Sequence, residues 1–130
     1  MNVNFIDNPK YIAVYFFYMA DPKEALDYFS GQVLDSNPSL RLSLGISSAS
    51  ELSEKLALRT ARQAIGIAEE VGLTEQADEV NRAVNQGNLI EVIGLSERIH
   101  KIVSPDAQES LFGTVFQSVT AGGQEGQQNI

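Results

Sequence analysis

The chain has one histidine, His100, three residues after Glu97 in the run Gly94-Leu-Ser-Glu-Arg-Ile-His100. A carboxylate and an imidazole three apart on a helix point to the same side. Glu-x-x-His is also the spacing that delivers two ligands to a carboxylate-bridged metal pair in a helical bundle. Such a centre needs two of these motifs, and this chain holds one. A homodimer could complete it, with Glu91 or another acid contributed across the interface. On a helix over 89–103, His100 projects with Leu89, Ile93, Ser96 and Val103, which is the apolar side, and Glu97 falls at its edge. The plainer expectation is a core histidine hydrogen-bonded to a neighbour, with no cofactor. A ligand- or metal-binding bundle centred on His100 and Glu97 is the alternative.

Other chemistry has less to stand on. Ser96 and His100 are four apart, but no third group of a nucleophilic triad is visible beside them. No nucleophile elbow, P-loop or dinucleotide fingerprint occurs, so no enzyme is expected. The absence of Cys excludes disulfides, thiolate metal sites and thiol nucleophiles. Glu69, Glu70, Glu75, Asp78 and Glu79 form an acidic cluster with no base among them, and its spacing is not that of a calcium loop. It reads as a solvated acidic corner, or as a docking patch for a basic partner.

Charge narrows the partners. Seventeen acids against nine bases leave a net charge of −8, the wrong sign for neutralising a phosphate backbone, so no nucleic acid is expected. The opening MNVNFIDNPK has neither the basic start nor the apolar core of a secretion signal, and a cytoplasmic protein is expected. Tyr11 to Ala20 runs uncharged for ten residues, five of them aromatic. A spanning helix needs about 20, so no membrane span is expected.

The elements that would position these residues are announced by caps. Each of the four prolines follows a good N-cap residue: Asn8-Pro9, Asp21-Pro22, Asn37-Pro38 and Ser104-Pro105. Asp21 with Glu24, Ser48 with Glu51, and Asn88 with Glu91 have capping-box spacing. Gly72 and Gly87 sit where helices should stop, each followed by a new cap in Thr74 and Asn88. These signals predict helices near 9–19, 22–34, 49–71, 75–86, 89–103 and 105–119, with a weak piece near 38–45. In the long helix, a wide apolar arc of Leu56, Ala57, Leu58, Ala61, Ala64, Ile65, Ala68 and Val71 suits a central position with neighbours on two sides.

The expectation is an all-α fold of about six helices packed as antiparallel hairpins, in one domain over 1–120. Leu40-Arg-Leu-Ser-Leu-Gly-Ile46 alternates like a strand, however, and could pair with Tyr11–Met19 across a helical crossover. That keeps an α+β alternative with a βαβ unit in residues 11–47. The end, TAGGQEGQQNI, has no apolar pattern, and residues 121–130 are expected to be a disordered polar tail.

Two of the hairpins resemble tetratricopeptide repeats. In ADPKEALDYFSGQVLDSNP, Asp21, Ala25 and Phe29 stand in the family's turn and second-helix positions, with Ile12, Ala13 and Phe16 before them. In AVNQGNLIEVIGLSERIHKIVSP, Gly87 and Asn88 match the turn, and Val92, Ser96 and Ile99 stand where Ala, an aromatic and Ala are usual. The chain departs from the family at Ala20 and Gln32, lacks its Trp, and has a helix over 49–71 too long for one unit. The resemblance covers about half the chain and implies stacked hairpins with a peptide-binding groove. IAEEVGLTEQADEVNRAV also resembles a repressor helix-turn-helix. There Asp78 takes a position that should be apolar, and its acids would be repelled by phosphates.

The function expected is therefore a small helical protein-interaction module: an adaptor, a chaperone-like partner or an assembly subunit, possible also as a homodimer. It would bind another protein or peptide through an apolar helix face or groove. Tyr15, Phe17 and Tyr18 in the opening stretch, and Phe112 and Phe116 in the last helix, are the candidate interface residues.

Overall fold

The computed structural model describes residues 21–128, and their order is six helices: α1 (Pro22–Ser36), α2 (Ser39–Leu44), α3 (Ala49–Val71), α4 (Thr74–Gln86), α5 (Leu89–Val103) and α6 (Leu111–Gln128). No strand occurs among the described residues, so the fold is all-α. The helix expected over 9–19, with its Asn8-Pro9 start, lies outside them.

Local chemistry sets most of the boundaries. Asp21 accepts a hydrogen bond from the amide of Glu24 at 3.1 Å, and Pro22 follows in the first turn. Ser48 accepts from the amide of Glu51 at 3.2 Å, and Asn88 from that of Glu91 at 3.2 Å. Each cap satisfies an amide that the helix itself leaves free. The return half of the second box is displaced by one residue, since Glu51 reaches back to the amide and hydroxyl of Ser47. α3 and α4 end at Gly72 and Gly87, both left-handed (φ 82 and 74), a backbone that costs glycine little. Beyond each glycine the next amide folds back: Leu73 donates to the Ala68 carbonyl and Asn88 to that of Ala83.

Three expected starts are corrected. Thr74 does not cap α4; it is the first helical residue, and Leu73 stands before it with no side-chain cap bond. Asn37 closes α1, its amide donating to the Val33 carbonyl, and its side chain does not cap α2. Ser104-Pro105 starts no helix. Ser104 ends α5, and the Ala107 amide donates to its carbonyl at 3.0 Å, so Pro105 sits in a turn instead. A proline after a small polar residue suits the second position of a β-turn as well as a first helical turn.

The strand-like alternation of Leu40–Ile46 also fails, and with it the support for a βαβ unit. Residues 39–44 are helical, and Gly45 turns the chain at φ 67. Leu40 and Ile46 are buried, but Leu42 is 90% exposed, whereas a strand would have put all three on one face. The proposed partner strand at Tyr11–Met19 lies outside the described residues. At the other end, α6 runs on to Gln128, into the stretch whose composition predicts an unstructured tail. Elongating a helix already nucleated on a packed stripe is far easier than starting one.

α3 is the hub, packing against α1, α4, α5 and α6; α5 also meets α4 and α6, and α2 lies on α6. Its buried line is Leu52, Ser53, Leu56, Ala57, Thr60, Ala61, Ala64 and Ala68. The small side chains let neighbouring helices approach from more than one side. Four hydroxyls share that interior. Ser30 of α1 and Ser53 of α3 bond to each other at 2.8 Å, and Thr60 bonds to the Leu56 carbonyl at 2.7 Å. Ser96 of α5 does the same to Val92 at 2.7 Å. Buried hydroxyls without such partners would cost on the order of 1–3 kcal/mol each.

Candidate functional site

Glu97 and His100 sit on the last two turns of α5, where Ser104 closes the helix and the chain turns through 105–110 toward α6. Glu97 is half-buried, and both its carboxylate oxygens are engaged. Oε1 accepts from the Leu111 amide and Oε2 from the Phe112 amide, each at 2.8 Å. These are free amides of the first turn of α6, so a side chain from another helix caps it. The carboxylate also lies at the positive end of the α6 dipole, where negative charge is favoured.

Ser110 supplies the rest of the cap. Its hydroxyl accepts from the Gly113 amide at 2.9 Å, and its carbonyl from the Thr114 amide at 3.1 Å. His100 secures the connection just before it. Its Nε2 is 3.0 Å from the carbonyl oxygen of Glu109, and since a carbonyl only accepts, Nε2 carries the proton. His100 is thus a partly exposed clasp on a loop and not a core residue. Ser96, by contrast, is buried on its own Val92 carbonyl and has no bond to His100.

Burial pushes the Glu97 carboxyl above the ordinary carboxylate range, against the lowering effect of the Phe112 and Leu111 amides and of the nearby His100. Loss of water around the charge outweighs the hydrogen bonds that favour it. Arg and Lys give it no help: the one ion pair among the described residues joins Lys23 to Asp27 at 3.1 Å, far along the chain on α1.

This geometry is a structural joint. A metal would have to compete with two backbone amides for Glu97, and no group of three or more His, Asp or Glu side chains comes together among the described residues.

The candidate interface residues divide. Tyr15, Phe17 and Tyr18 lie outside the described residues. Phe112 and Phe116 are corrected from surface to core: they are 0% and 4% exposed, within the stripe of Leu111, Phe112, Val115, Phe116 and Val119 that faces inward. The Phe116 ring packs on Phe29 of α1 at 5.2 Å between centroids, tilted by 55°. A strong apolar stripe on a terminal helix reads alike whether the chain's own helices or a partner covers it, and here the chain's own helices do.

Large apolar side chains do reach solvent elsewhere, at Leu42, Tyr28, Val71, Ile102 and Val103. Val71, expected in the apolar arc of α3, and Val103, expected on the apolar side of α5, are corrected to exposed positions as the last residues of their helices. Tyr28 and Leu42 lie opposite the buried sides of their short helices, a position that a helical projection of α1 marks, though α2 was too weakly helical for one. The acidic residues Glu69, Glu70, Glu75 and Asp78 are exposed around the α3–α4 turn, as a solvated corner would have them.

No family model, no curated protein and no solved structure matches this chain.

Proposed function

We propose that this chain is a small helical protein-interaction module, an adaptor, chaperone-like partner or assembly subunit, that binds another protein or a second copy of itself. The observation that favours this over a ligand- or metal-binding bundle is the engagement of Glu97: both its oxygens hold the start of α6 and His100 holds the loop before it. The residues best suited to metal or acid–base chemistry are committed to architecture.

What remains on the outside suits contact with protein. Leu42 is 90% exposed on α2 and Tyr28 68% on α1, and Ile102 and Val103 emerge at the end of α5. Side chains of this kind supply apolar area to a partner, and tyrosine adds a polar tip. The pairing of α4 with α5 across the Gly87-Asn88 turn supports a stacked hairpin of the tetratricopeptide kind. No helix among the described residues is long and apolar enough to cross a membrane. The cytoplasm is the setting we propose, and no enzymatic activity is part of the proposal.

Native mass spectrometry of the chain purified without chelator tests this reading. The expected result is a mass equal to the chain, a multiple of it, or its complex with a protein, with the heavier species lost in Leu42→Glu or Ile102→Glu while helicity and melting temperature are retained. A bound metal or small molecule that disappears in Glu97→Gln overturns it. So does a chain that stays monomeric and takes up no protein when cross-linked in an extract of its source cell.

A further inference from the structure

We draw no further inference here: the strongest candidate, the acidic corner that Glu69, Glu70, Glu75 and Asp78 form around the exposed Val71 at the α3–α4 turn, is a surface patch for which nothing in the structure shows what covers it.

Discussion

Glu97 and Phe112 are fifteen residues apart in the chain and joined by a 2.8 Å hydrogen bond, from the amide of the second residue of α6 to a carboxylate oxygen on α5. With its twin at Leu111 and the Ser110 cap, this bond takes up the amides with which the last helix begins. A carboxylate that suggests a ligand in the sequence is the device that docks α6.

Replacing Glu97 with Ala leaves two amides of α6 without their acceptor. Hydrogen bonds to a charged group contribute about 1.5–3 kcal/mol each, partly offset here by the cost of burying the charge. We expect a net loss of about 2 kcal/mol, with Glu97→Gln losing roughly half as much because one acceptor oxygen survives. Urea denaturation measures both. A Glu97→Ala midpoint equal to wild type would mean that the joint contributes nothing.

The same carboxyl makes stability depend on pH in a defined direction. Its pKa in the folded chain is raised, so between the unfolded value and the folded one the native state holds more proton than the unfolded state. Stability from this group is therefore fully present below the unfolded pKa and is lost as pH rises through the folded pKa. Measured against Glu97→Gln, which does not titrate, wild type should gain ground as pH falls from 7 toward about 4. A gap between the two proteins that stays constant over that range, or widens against wild type, contradicts the direction.

Ser30 and Ser53 satisfy one another in the interior between α1 and α3. Either single change to Ala strands the other hydroxyl and should cost about 1–2 kcal/mol. The double variant should cost less than the sum, and a double-mutant cycle should report a coupling of about 1 kcal/mol. Strict additivity would show that the pair does not act as a pair.

Two glycines on α3 should respond with opposite sign. Gly66 lies inside the helix with open space where a Cβ would go, so Gly66→Ala should stabilise by about 0.5–1 kcal/mol through helix propensity. Gly72 ends the helix at φ 82, and Gly72→Ala should destabilise by about 1 kcal/mol. Thermal melts of the two variants should move in opposite directions.

Phe116→Ala distinguishes a core ring from an interface ring. Buried against Phe29, it should cost about 3–5 kcal/mol of folding stability with or without a partner. An interface residue would instead melt normally and lose binding. A normal melt would return Phe116 to the surface.

Capping is why so much of the fold was legible in sequence. Asp21, Ser48 and Asn88 act within one turn of their own chain, as do the glycines 72 and 87, so residue type and spacing are enough to place five helix ends. The start of the last helix was not legible in the same way. Ser104-Pro105 obeys the rule for a helix start and for a turn alike, and the last helix starts at Leu111, where Glu97, fourteen and fifteen residues upstream, and Ser110 together take up its first amides. The nearer signal was there in Ser110, a good N-cap immediately before the apolar stripe, and the proline overshadowed it.

By itself, then, the sequence determined a helical chain with a central Ala-lined α3, an acidic surface, and no cysteine chemistry, because these depend on local propensity and composition. Only the tertiary structure decided whether a residue with chemical potential was free to use it. Glu97 is held by α6, His100 by the loop carbonyl, Phe112 and Phe116 by the core, and Leu42 is left in solvent. Periodicity tells which side of a helix is apolar, but what lies against that side depends on contacts between residues far apart in the chain.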